Sequence, residues 1–170
     1  MKKTVFIIMT VLAIIIVATA YLNKENADKK TETEIKTQFI IKQNGTVIDT
    51  LNLNKIKALD TEKFNAVLKT NGKKPVEYSY EGIQLKNILK LYNIDITKKE
   101  LIIITSIDGF SVAYSVKEIV EEGNIFLTFA KEGELRKSRK NGGRGPYQVI
   151  TVKDQFSNRR CKYATEMDVR

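Results

Sequence analysis

Histidine is absent from the sequence and cysteine occurs once, at Cys161. Without histidine there is no Ser-His-Asp or Cys-His nucleophile and no histidine-based zinc or copper centre. One cysteine allows neither an internal disulfide nor a four-cysteine cluster within one copy. Any acid–base chemistry therefore falls to Asp, Glu, Lys or Tyr, and stability falls to a packed core. The 170 residues, less an N-terminal segment, are enough for one domain of ordinary size.

Residues 1–22 read as a membrane-targeting element: Lys2 and Lys3 precede an uncharged apolar run from Val5 to Leu22. The run suits a retained membrane anchor. It equally suits a signal peptide, with Val5 to Val17 as the apolar region and Ala18-Thr19-Ala20 as a small-x-small cleavage site. With the lysines inside, everything after Leu22 is expected to be extracytoplasmic in either case. No cysteine directly follows the run, which excludes acylation as a lipoprotein. Residues 23–34 are almost wholly polar and charged and read as a flexible linker. Residues 35–170 form the expected domain. Removing Lys2 and Lys3 from 29 basic against 20 acidic residues leaves a formal +7, which suits an anionic wall or membrane surface.

Within the domain, Phe39 to Lys42 and Thr46 to Leu51 flank Asn44-Gly45, the signature of a two-residue hairpin. A short helix is expected from Asn54 to Leu59. Thr61 to Leu68 carries Phe64, Val67 and Leu68 at helical spacing but has strand-like composition, so helix and strand both remain open. Val76 to Tyr80 alternates as a strand, Glu81-Gly82 reads as a turn, and Leu85, Ile88, Leu89 and Tyr92 define a helix. Leu101 to Ile107 reads as a buried strand that Asp108-Gly109 bends into Phe110 to Tyr114. Ser115 and Glu118 have capping-box spacing, opening a helix that Gly123 ends. Ile125 to Ala130, Tyr147 to Val152 and Arg160 to Val169 supply three further strands. In the last of these, Cys161, Tyr163, Thr165, Met167 and Val169 are expected to share one face. The sum is an α+β domain with mixed, mostly antiparallel sheets and short helices.

Two glycine-bearing phrases carry the functional signal, Ser106-Ile107-Asp108-Gly109-Phe110 and Asn141-Gly142-Gly143-Arg144-Gly145-Pro146-Tyr147. The second follows a basic stretch holding Lys131, Arg136, Lys137, Arg139 and Lys140. Arg144 or Arg139 can act as a bidentate fork for a phosphate, sulfate or carboxylate, with the Gly142 and Gly143 amides beneath it. Arg159, Arg160 and Lys162 are expected nearby across the sheet, and Asp108 at a strand end. The alternative for the basic stretch is a solvated hairpin tip whose charges protect an edge. Cys161 reads as a buried structural residue, a reactive or dimer-forming thiol, or a metal ligand. No pair of carboxylates has a spacing that argues for acid–base catalysis.

Tyr80-Glu81-Gly82-Ile83-Gln84-Leu85-Lys86-Asn87-Ile88-Leu89, then Ser106 to Phe110, then Gly142 to Ile150, then Lys162 resemble, in order, motifs of the sulfite-oxidase-type, molybdopterin-binding oxidoreductase domain. The resemblance covers Phe39 to Val169. It implies that family's fold, and molybdopterin as a possible cofactor with Asp108, Arg139, Gly142, Gly143, Arg144, Arg159, Arg160 and Lys162 as candidate contacts. The family's molybdenum is held by a cysteine thiolate shortly before the tyrosine of the first motif, and Thr61 to Tyr80 contains none. Sulfite-oxidase-type chemistry is therefore expected to be absent or altered.

Three functions follow as expectations. One is a non-catalytic extracytoplasmic module binding a small anionic ligand or a membrane or wall partner protein. Another is a molybdopterin-dependent oxidoreductase subunit served by a membrane partner. The third is a basic wall-associated structural protein. Nucleic acid is not an expected partner for an exported chain.

Overall fold

The computed structural model describes residues 38–137 and 141–170, together with Met9, Leu12, Ile15, Ile16, Ala18 and Thr19. The chain divides into two units, Met1–Ile35 and Lys36–Arg170. In the first, the six described residues are helical, and the Thr19 hydroxyl lies 2.9 Å from the carbonyls of Ile15 and Ile16, which accept from it. Among the described residues no helix is long and apolar enough to cross a membrane.

The second unit opens with the expected hairpin. β1 (Gln38–Gln43) and β2 (Thr46–Asn52) are joined by Asn44 and Gly45 at φ of 51° and 79°, the left-handed pair that a tight hairpin turn requires. Asn52 caps α1 (Leu53–Lys57), its side-chain oxygen accepting from the Lys55 N–H at 2.9 Å. The ambiguous segment that follows is a strand, β3 (Glu62–Leu68). It pairs antiparallel with β4 (Val76–Gln84) along its whole length, and Phe64 stacks on Phe126 with ring centroids 3.8 Å apart. A partner strand and an aromatic contact decide what local spacing left open.

The expected turn at Glu81-Gly82 is not a turn. β4 runs straight through it, with a bulge between Glu81 and Gly82 where it pairs with β7 (Ile125–Lys131). Gly82 is required by close approach: an added Cβ would sit 2.8 Å from the Thr128 Cα and closer still to the Leu127 carbonyl. The expected helix forms as α2 (Leu85–Leu91), which buries Leu85, Ile88 and Leu89.

β5 (Leu101–Ser106) and β6 (Ser111–Ser115) are joined at Asp108 and Gly109, the latter at φ 85°. Ser115 and Glu118 form the capping box of α3 (Val116–Val120): the Ser115 hydroxyl accepts from the Glu118 N–H at 3.3 Å, and the Glu118 carboxylate accepts from the Ser115 N–H at 2.9 Å. The helix ends at Val120, short of the expected stop at Gly123. β8 (Glu134–Leu135), β9 (Gln148–Thr151), a 3-10 turn (Ser157–Arg159), β10 (Cys161–Lys162) and β11 (Ala164–Val169) complete the unit.

These strands form two sheets. The first has the order β2-β1-β11-β5-β6, with β1 and β11 parallel and the other neighbours antiparallel. The second has the order β10-β9-β7-β4-β3, antiparallel throughout, with β8 also paired to β7. The principal core takes Phe39, Ile41, Ile102, Ile104 and Met167 from one sheet, Ile83, Leu127, Phe129 and Val149 from the other, and Ile56, Leu85, Ile88 and Ile119 from the helices. A smaller cluster of Ala66, Tyr80 and Ile150, with Phe64, Tyr78 and Val152 against it, covers part of the second sheet. β7 meets both clusters, so its residues from Ile125 to Ala130 are all buried.

The closing segment departs from the single strand that alternation predicts. Tyr163 adopts φ 53° and splits it, so that β10 belongs to the second sheet and β11 to the first. Below the split Cys161 is buried; above it Ala164 is buried and Thr165 only half-buried, so the expected shared face is broken. The segment thus ties the two sheets together.

Candidate functional site

At that tie the chain leaves an open cleft of about 930 Å³. Its lining comes from the turn after β3, the β5–β6 turn, the loop before β9 and the stretch around the 3-10 turn and β10. Four of the eight sequence-derived candidates meet there: Asp108, Arg144, Arg160 and Lys162. Phe110 and Phe156, each about half exposed, form aromatic walls. Asp108 is held by its own turn, accepting from the Ser106 hydroxyl and from the Phe110 N–H at 3.3 Å.

Arg160 is the unusual member. It is 6% exposed, yet the acceptors it finds are neutral: Nη1 donates to the Tyr80 hydroxyl at 3.3 Å and Nη2 to the Val67 carbonyl at 2.8 Å. Its Nε is buried with no hydrogen-bond partner among the described residues. Burial holds its pKa below the usual arginine range, against a smaller opposing effect of Tyr80. A desolvated guanidinium that no carboxylate contacts is costly, and Asp154, which is paired with Arg159, acts on this one only through space.

More positive charge gathers around Tyr80. The Arg136 guanidinium lies 5.5 Å from the Tyr80 ring centre and that of Arg160 lies 5.8 Å from it. The Arg136 Nε donates to the Thr128 hydroxyl at 3.3 Å. Burial, and then the neighbouring Arg144 and Arg160, bring the pKa of Arg136 down to about 10 despite Tyr80. Lys131 sits 3.1 Å from the centre of the Tyr78 ring, and burial followed by Arg136 lowers its pKa too. Among the described residues Arg136, Arg144 and Arg160 take part in no ion pair.

The remaining candidates lie elsewhere. Arg159, one residue from Arg160, is spent on structure: it pairs with Asp154 and with Glu118 at 2.7 Å and packs over the buried Tyr114 ring. These carboxylates raise its pKa. Gly142 and Gly143 do not line the cleft. Gly142 supplies a left-handed turn at φ 70°, and Gly143 has no room for a Cβ, which would sit 2.7 Å from that of Lys137. The Gly143 carbonyl accepts from the Tyr163 hydroxyl at 2.9 Å and the Arg144 carbonyl from the Tyr163 N–H at 3.3 Å, pinning the loop to the sheet tie. Arg139 lies outside the described residues. Cys161 is fully buried in the principal core, which pushes its thiol up to about 12. Tyr147, which closes the second glycine-bearing phrase, is buried in the core.

Sequence reasoning placed Arg136 in the basic stretch and Phe110 in the first glycine-bearing phrase without assigning either as a contact, and it did not assign Tyr80 or Phe156 to the site. Tyr80 and Arg136 meet only through the pairing of β4, β7 and β8, a long-range contact without a local signature. A second concavity, of about 530 Å³, is lined by Lys86, Leu89, Ile94, Val120 and Glu122 among others. Its buried cation, Lys86, is paired with Glu122, an ion pair that the buried Arg160 of the larger cleft does not have among the described residues.

Comparison with known proteins places the fold. The described unit is an α+β fold of two mostly antiparallel sheets, the first of them mixed, with short helices, similar to that of the sulfane dehydrogenase SoxCD from Paracoccus pantotrophus. The TM-score is 0.63 at 10% sequence identity, over 78% of this chain and 37% of that one. The chain therefore spans well under half of that structural neighbour. No protein-family profile matches the sequence, and no curated protein matches it either.

Proposed function

We propose that this chain is an extracytoplasmic, oxidoreductase-like domain of the sulfite-oxidase type that binds a small anionic ligand, or an anionic group of a partner protein, without redox catalysis. The observation that carries the reading is Arg160, desolvated beside the cleft with neutral acceptors only and an unmet Nε–H. An anion in the cleft supplies the missing countercharge, with Arg144 and Lys162 at its rim. The extracytoplasmic assignment rests on Lys2, Lys3 and the apolar run behind them.

The residues present do not fit a molybdenum centre. The cleft-lining residues of the stretch expected to supply the thiolate are Leu68, Lys69, Thr70 and Asn71. Cys161 is in the core, and its thiol, raised to about 12, resists the deprotonation that ligation demands. The cationic cleft does fit an anionic group such as a phosphate.

The competing reading, a molybdopterin-dependent oxidoreductase subunit, is favoured by the likeness to a sulfane dehydrogenase. One experiment separates the two. The full chain is purified in detergent from a molybdenum-replete host, then assayed for bound metal and released pterin. Saturable anion binding by metal-free protein supports the proposal; stoichiometric molybdenum pterin overturns it.

A further inference from the structure

The chemical class of the ligand follows from a count of charge, on the reading of the cleft as an anion site. Lys69, Arg144, Arg160 and Lys162 line it against one carboxylate, Asp108, which already accepts from its own turn. Arg136 adds a further cation 5.5 Å from the centre of the Tyr80 ring, which Arg160 also approaches. One negative charge leaves most of this excess standing. A group with two charges and several oxygens can accept from more than one cation at once.

We infer that the cleft recognises a doubly charged tetrahedral oxyanion, as a phosphomonoester or as free phosphate or sulfate, seated against Arg160 with Arg144 and Lys162 at its rim and with no metal. A carboxylate, or the phosphodiester of a wall polymer, brings a single charge per group and is the poorer match. The arginines keep their charge throughout the neutral and mildly acidic range, so pH dependence reports the ligand's own ionisation.

The test is calorimetric titration of the full chain in detergent at low ionic strength with phosphate, glycerol phosphate, sulfate and acetate. At neutral pH the first three are expected to bind at least ~10-fold more tightly than acetate. Phosphate and its ester should weaken by about tenfold as pH falls to a unit below their second ionisation near pH 6–7, while sulfate stays constant. Tighter binding of the ester than of free phosphate assigns the group to a phosphorylated compound, and the reverse to a free oxyanion, both within the inference. Arg160→Lys keeps the charge but loses the planar fork, and should weaken phosphate by roughly tenfold or more. Arg136→Gln, at a half-buried position outside the cleft lining, should weaken it severalfold and guards against a folding defect in the first variant. Acetate binding as tightly as phosphate, or phosphate binding that ignores pH, overturns the dianion inference and leaves the anion site standing. Native affinity in both variants overturns the location. No binding of any anion overturns the underlying reading as well.

Discussion

At the scale of single residues, neighbouring positions have opposite fates. Arg159 and Arg160 are adjacent in sequence, but one is paired with Asp154 and Glu118 and the other is buried with neutral acceptors and an unpartnered Nε. Arg160→Ala is therefore expected to cost anion affinity, by the ~1.5–3 kcal/mol of a charged hydrogen bond. Arg159→Ala should instead lower thermal stability and leave affinity unchanged, as calorimetry and melting curves will tell apart. The Arg159 contact, foremost, holds the Glu118 carboxyl below the ordinary glutamate range. A depressed carboxyl stabilises the fold above its unfolded pKa of about 4.3, and that contribution is lost as pH falls through the lower folded value. Glu118→Gln can still cap α3, so its stability deficit at neutral pH should shrink in acid, as denaturant titrations at several pH values will show. For Cys161, burial predicts no reaction with a thiol reagent at pH 8 until denaturant is added. Rapid stoichiometric labelling of native protein would exclude the core position.

At the scale of elements, legibility followed the range of the interaction. The Asn44-Gly45 hairpin, the helix over Leu85–Leu91 and the Ser115/Glu118 capping box are local devices, and each formed where its residues stand. The β3 assignment and the continuity of β4 through Gly82 depended on partners in other strands, such as the Phe64–Tyr80 and Gly82–Thr128 pairs. Glycine at position 82 signalled a turn, but its cause was crowding by β7. Gly82→Ala should accordingly destabilise by about 2 kcal/mol or more, lowering Tm by roughly 8 °C in a unit of this size. Retention of native Tm would show that the bulge yields. Of the candidate site, Asp108, Arg144, Arg160 and Lys162 were legible because turns and a basic strand end mark them. Tyr80, Arg136 and the two phenylalanines were not, because only the assembled sheet makes them neighbours.

At the scale of the whole molecule, unit Lys36–Arg170 contains both clusters of buried residues and the entire cleft. A chain lacking residues 1–35 should therefore keep its melting transition and its anion affinity, and a loss of either would assign the N-terminal unit a part in the fold. The Tyr163 kink has a mechanical corollary. The segment that carries Lys162 into the wall of the cleft goes on as the central partner of β1 and β5, so the cleft wall and the girder are one piece of polypeptide. Loosening the carboxy-terminal end would open both at once, and a ligand held in the cleft, as proposed, would resist the loosening. Occupancy in such a molecule is readable as resistance to proteases and to pulling on its tail.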